Sequence, residues 1–163
     1  MCKLTYLMWR EYSLAPSVLE VLKQEFQGEY TREKVFSFVK VQKEKYFDAA
    51  KLLRENGFER LLTVSAIDWL DENEFEVYFL VYNPAENVYV KVSTRIPREN
   101  PEIQSLSSIW ENSAMHEREV WELFGITFEG NTMLKPLFLE GWKGPHPFLK
   151  DFDWRKYVKE FPM

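Results

Sequence analysis

Apolar and polar positions alternate with two different periods along the chain, and each change of period marks an element. Val18, Leu19, Leu22 and Phe26 recur at helical spacing behind Pro16, which suits a first helical turn, and Gly28 stops the run. Val35 to Val41 alternates as a half-buried strand does. Lys43 to Asn56 predicts the clearest helix: Tyr46, Ala49, Ala50 and Leu53 share one face, and Asn56-Gly57 ends it. Leu61 to Ile67, Phe75 to Tyr82 and Val88 to Arg95 read as three strands rich in β-branched and aromatic residues. Asp71-Glu72-Asn73 and Asn83 to Asn87 are polar turns too short for a crossover helix, so these strands should form an antiparallel meander. Pro97 and Pro101 close the sheet, and Ser108 to Glu111 reads as a capping box or a polar loop. A last helix over about Ala114 to Phe124 stops at Gly125. The expected fold class is α+β, a mostly antiparallel sheet with helices packed on one face, followed by an extended C-terminal tail.

That tail begins at Glu129. Pro136, Pro145, Pro147 and Pro162 deny it a long helix or a central strand. It nevertheless carries Leu137, Phe138, Trp142, Phe148, Phe152 and Trp154, groups in which a disordered linker is poor. An apolar segment without periodicity must bury itself against something pre-formed. The expected division is therefore an α+β domain over residues 1–128 and a partner-binding tail over 129–163.

Composition narrows the function classes. A length of 163 residues suits one self-sufficient domain. A net charge of −5 argues against a phosphate-tracking surface, so no nucleic-acid partner is expected. The apolar run Val77 to Tyr82 is far too short to cross a membrane, and Met1 to Glu11 holds no long apolar core of a signal peptide. A single cysteine points to a reducing, cytosolic compartment. Glu outnumbers Asp by 21 to 5, a bias that suits a thermophile's ion-paired surface. Cys2, His116 and His146 are too few to build a structural zinc site or an iron–sulfur cluster, and His116-Glu117 lacks a second histidine because position 120 is Val120. With no Walker loop and no dinucleotide fingerprint among six glycines, no cofactor, metal site or catalytic residue is expected.

The final helix and tail carry a recognisable pattern. Glu117-Arg118-Glu119, then Glu122-Leu123-Phe124-Gly125-Ile126 and Phe128-Glu129-Gly130, resemble the signature of the 30 kDa subunit of respiratory complex I, the C-type subunit of NADH dehydrogenase. The same family supplies a subunit of membrane-bound, energy-converting NiFe hydrogenases. Pro136-Leu137-Phe138-Leu139, Gly141-Trp142 and His146 to Phe152 follow in the expected order, and Gly57-Phe58 leading to Val64–Trp69 matches upstream. The resemblance spans roughly residues 33 to 153. Asn131-Thr132, Pro136 and Phe148-Leu149 depart from the family pattern, and Lys135 to Trp142 is closer to the hydrogenase branch.

The resemblance implies a cofactor-free, non-catalytic subunit of the peripheral arm, on the cytoplasmic side of a membrane complex. It would pack on the large subunit related to NiFe hydrogenase large chains (the 49 kDa type), beside an iron–sulfur subunit, and meet the membrane only indirectly. The candidate interface residues are Glu117, Arg118, Glu119, Leu137, Phe138, Trp142, His146, Lys150, Asp151 and Phe152. On an arbitrary helix Glu117, Arg118 and Glu119 would be a solvated face. Here they are expected to fix the start of the tail or meet the partner, with Arg118 partly buried against a carboxylate. Trp121 and Phe124 are expected as core anchors, and His146 as a packed loop histidine rather than a proton relay. Lys150-Asp151 reads equally as a docking pair or as polar punctuation. Two other classes compete: a small enzyme using Glu117 and Glu119 as acid and base, and a free-standing adaptor or ligand-binding module whose tail folds back on its own sheet. A member of a complex should expose its tail when isolated; an adaptor should not.

Overall fold

A computed structural model of the chain describes Leu22, residues 29–33 and residues 35–160. The helix expected between Pro16 and Gly28 lies outside the described residues except for Leu22, which is helical and buried. Strands β1 (Glu29–Glu33) and β2 (Phe36–Lys40) lead through a short 3-10 turn to helix α1 (Tyr46–Glu55). Strands β3 (Arg60–Trp69), β4 (Glu74–Asn83) and β5 (Val88–Pro97) follow. Then come β6 (Glu102–Gln104), helix α2 (Ser113–Phe124), β7 (Thr127–Glu129) and a short helix α3 (Trp154–Glu160).

β3, β4 and β5 form the expected antiparallel meander, turning at Asn73 and Asn87, both with positive φ, a conformation that asparagine tolerates better than most residues. Asn83 Oδ1 accepts the N–H of Ala85 at 3.0 Å and fixes the second turn. The five-stranded sheet runs in the order β1-β2-β5-β4-β3. β2 lies parallel to β5, pairing Phe36 with Tyr89 and Lys40 with Ser93. The parallel pair has a plain cause: α1 carries the chain from β2 across the sheet to β3, and a helical crossover returns the chain in its original direction. β1 and the two-stranded parallel sheet of β6 and β7 were not expected: β6 and β7 have three residues each, too few to display a period, and β1, Glu-Tyr-Thr-Arg-Glu, has no apolar alternation.

One face of the sheet makes the core. Tyr46 of α1 meets Phe79 edge-on at 5.2 Å, Trp110 packs on Phe79 at 5.8 Å, and Phe124 of α2 meets Phe75 at 6.3 Å. Both helices therefore sit on the same side. Trp110 donates its indole N–H to the Phe58 carbonyl (3.2 Å), so the segment read as a capping box or a polar loop is a turn built around a buried tryptophan. Asn112 turns its amide to the Leu61 carbonyl instead of capping α2. The opposite face is a ladder of rings, Tyr82 on Tyr89 (4.5 Å) and Phe36 on Tyr89 (4.8 Å), beside an ionic group of Glu76, Lys91 and Arg95. Burial works against the Glu76 carboxylate, but the two cations hold its pKa below the usual value.

The two faces differ in how much they contribute to stability. Phe79→Ala should cost about 3–5 kcal/mol, the range for removing a fully buried aromatic. Phe36→Ala, at 40% exposure on the open face, should cost under about 1 kcal/mol. Urea denaturation of both variants measures the difference.

Candidate functional site

Helix α2 lies between the sheet and the tail, and its charges face both ways. Glu117 points inward. It is 0% exposed; Oε2 accepts from Ser105 Oγ at 2.6 Å and Asn131 Nδ2 at 2.9 Å, and Oε1 accepts from the Leu106 N–H at 2.7 Å. Among the described residues no cation pairs with it, so these three donors alone offset the cost of burying the carboxylate. Burial, reinforced by the negative charge of Glu117, pushes the Tyr46 hydroxyl well above its ordinary pKa. Asn131 also reaches the Ala114 carbonyl (3.2 Å) and accepts the Met133 N–H (2.8 Å), so the tail is fixed to the helix at its first turn. Glu119 lies two residues on, about 200° around the axis, on a different side of the helix. The two carboxylates expected by the acid–base reading are not brought together.

Arg118 and Glu122 face the tail. Arg118 Nε donates to the Lys135 carbonyl at 2.6 Å, and Nη2 donates to the Pro136 carbonyl. The expected partner of Arg118 was a carboxylate; the structure gives it two carbonyls, because the tail crosses directly over the guanidinium. Glu122 is only 6% exposed and collects three successive backbone N–H groups: Leu137 at 2.9 Å, Phe138 at 2.9 Å and Leu139 at 2.8 Å. Burial raises its pKa, but the three N–H donors and the charge of Arg118 outweigh it, so the carboxyl titrates below its ordinary value.

The C-terminal end of α2 holds a second pass of the tail. His146 Nδ1–H donates to the Glu122 carbonyl (2.8 Å), and the Phe148 N–H donates to the Leu123 carbonyl (3.0 Å). These carbonyls have no partner inside the helix, so the tail caps it. Gly125 ends the helix with φ near +80°, and a Cβ there would lie 2.6 Å from the His146 ring, so glycine is required twice over. Further on, the Lys150 N–H donates to Asp68 Oδ2 (2.9 Å), and Arg98 Nη2 bonds both Asp68 Oδ2 (3.2 Å) and Asp151 Oδ1 (2.9 Å). The hydrogen bond from Arg98 draws the Asp151 carboxyl below its usual pKa. Residues 131–151 are therefore a strap, bonded to α2 and to one end of the sheet.

Beyond the strap's neck, Trp142 donates to the Pro145 carbonyl (2.9 Å) and gathers Tyr157, Phe152 and Trp154 at ring distances of 4.8, 6.2 and 6.1 Å. Leu137 is partly buried, while Phe138, Phe148 and Trp154 are 66, 56 and 51% exposed. Phe124 packs on the core as expected. Trp121 does not: it is only partly buried, and Glu117, Val120 and Leu123 take the inward positions. Three residues that hold the strap, Asp68, Arg98 and Glu122, are absent from the candidates that the sequence suggests. Asp68 could have been found, since it occupies the inward phase of β3 after Val64 and Ala66, where a charge calls for a partner. Glu122 stands in the family signature, but nothing in its spacing points to the backbone it binds, and Arg98 left no mark.

Comparisons with known proteins bear on the same residues. The family model for the respiratory-chain NADH dehydrogenase 30 Kd subunit matches residues 39–158. The C subunit of the F(420)H(2) dehydrogenase of Methanosarcina mazei is 33% identical over 115 residues, covering 69% of this chain and 73% of that one. The C/D subunit of the NADH-quinone oxidoreductase of Hydrogenobaculum sp. is 33% identical over 131 residues, 79% of this chain but 22% of the longer one. The C subunit of the Erythrobacter litoralis NADH-quinone oxidoreductase is 32% identical over 126 residues, 74% of this chain and 49% of that one, so the chain spans only part of several relatives. Among solved structures, a chain of the membrane-bound sulfane sulfur reductase, an archaeal respiratory membrane complex, superposes with a TM-score of 0.78 at 27% identity, with 89% of both chains covered.

The Glu122 contacts imply a pH dependence with a definite sign. Its folded-state pKa is depressed, so its hold on the strap is complete above the unfolded carboxylate value of roughly 4.3 and is lost as pH falls through the depressed value. Amide exchange should show Leu137, Phe138 and Leu139 protected at neutral pH and progressively released in acid. Glu122→Gln should weaken that protection at neutral pH by about 1.5–3 kcal/mol, the worth of hydrogen bonds to a charged group.

Proposed function

The chain belongs to the family of the respiratory-chain NADH dehydrogenase 30 Kd subunit, and on that premise we propose that it is a non-catalytic peripheral-arm subunit of a membrane-bound oxidoreductase. The parent complex is of the complex I type or of the related energy-converting NiFe hydrogenase type. In it the chain packs on the large, hydrogenase-like subunit, with an iron–sulfur subunit beside it on the cytoplasmic side, and reaches the membrane only through its neighbours. Among the described residues no helix is long and apolar enough to cross a membrane.

The observation that carries this reading is the strap. Its backbone is fixed by α2 and Asp68, yet Phe138, Phe148 and Trp154, the three most exposed of the large apolar side chains described, all project from residues 138–154. A rigid backbone presenting exposed aromatics suits assembly on a pre-formed surface, where such residues supply most of the binding energy. The C/D relative, whose single name joins two subunits, supports the D-type large chain as the neighbour. The strap's bonds to its own domain also meet one expectation of the free-standing adaptor, a tail folded back. They replace the expectation that the isolated protein frees its tail. What separates the readings is the exposed aromatic row, which an adaptor has no reason to leave in water.

Phe138→Ala combined with Phe148→Ala should leave the melting temperature nearly unchanged, since both rings are over half exposed. Recovery with the large subunit after co-expression should fall at least about tenfold, as for loss of an interface anchor. Wild-type recovery of this double variant would refute docking through the strap.

A further inference from the structure

We infer that the outward side of the strap is built to meet an apolar protein surface rimmed with carboxylates, so that charge as well as shape orients the protein; this rests on the reading that the strap docks on the large subunit. The strap and α3, residues 131–160, hold six Lys or Arg against four Asp or Glu, a net charge of +2. The whole chain is −5, which leaves −7 on the rest. The strap is a basic band on an acidic protein.

Two of the four acids of this band have partners. Asp151 is bound to Arg98, and Asp153 accepts the N–H groups of Arg155 (2.8 Å) and Lys156 (3.3 Å) at the start of α3. Lys135, Lys143, Lys150, Arg155, Lys156 and Lys159 are all exposed, and among the described residues none of the six takes part in an ion pair; Lys150 lies over the Trp69 ring at 5.8 Å. One described ion pair reaches the band, from Arg98 to Asp151; the others lie on the open sheet face, at the start of α1 and between Arg98 and Asp68. Exposed ammonium and guanidinium groups without an ion-pair partner among the described residues thus share one stretch of chain with the exposed Phe138, Phe148 and Trp154. A carboxylate-rimmed partner is attracted to this band and repelled by the negative remainder, so only one orientation of approach is favoured.

Cations beside aromatics also suit an anionic lipid surface. The strap favours a protein. The backbone that carries Phe138 and Phe148 is bonded to Glu122, Leu123 and Asp68, which sets the two rings for a surface of matching shape rather than for a fluid one.

The test reverses charge without touching the aromatics: the full-length chain with Lys143→Glu, Arg155→Glu and Lys156→Glu together, titrated against the purified large subunit at low and high salt. The expected result is an affinity loss of about tenfold or more at ~50 mM salt that narrows by ~0.5 M, with wild-type binding itself weakening as salt rises. Equal affinity of wild type and variant at both salts would overturn the charge complementarity. If Phe138→Ala/Phe148→Ala then still abolishes binding, docking through the strap stands without its electrostatic part; if that variant also binds normally, the docking reading falls with it. Sedimentation with phosphatidylglycerol vesicles is the competing arm. Vesicle binding by wild type that the triple reversal removes, with large-subunit affinity unchanged, would assign the band to lipid and overturn the proposal.

Discussion

A chain segment that can form neither helix nor strand must still find partners for its backbone N–H and carbonyl groups, and the region after β7 is ordered by how that requirement is met. Pro136, Pro145 and Pro147 remove the regular solutions. Helix α2 supplies irregular ones: a carboxylate for three consecutive N–H groups, a guanidinium for two carbonyls, and its own unpaired terminal carbonyls for His146 and Phe148. The exchange is mutual, because the strap caps the helix that holds it.

This arrangement explains why a motif so dense in charge lies on a helix with little free surface. Glu117 and Glu122 are five residues apart, roughly 140° around the axis. One turns into the core and organises the loop at Ser105-Leu106; the other turns outward, only to be covered by the strap. Each satisfies backbone groups, so loss of Glu117 would strand the buried Leu106 N–H and loss of Glu122 would release three partly buried ones. Arg98 serves the far end in the same manner, joining Asp68 in β3 to Asp151 in the strap.

Function follows from what is left over. Glu117, Arg118 and Glu122 are used internally, so the docking proposed above falls to side chains that the strap and α3 display: exposed aromatic rings and exposed cations. A pre-ordered strap loses less entropy on association than a free tail, which favours tight and specific assembly of a modest surface.

The layered architecture was legible in the sequence because each of its elements buries one face, and burial imprints a period. The stripe of Tyr46, Ala49, Ala50 and Leu53, the meander, and the helix end at Gly125 all stand where the pattern puts them. The parallel seat of β2 beside β5 was not legible, since register between strands far apart in sequence depends on which surfaces meet after the helix crosses the sheet. Nor was the destination of each charge. Sequence alone marked the Glu117–Gly130 block as special and the tail as too apolar for water. Only the tertiary structure decided that Glu117 is buried, that Arg118 binds carbonyls and that Glu122 holds the strap. A hydrogen bond to backbone depends on position and direction rather than on the identity of the residue it reaches, so it leaves no mark on the sequence of the partner segment.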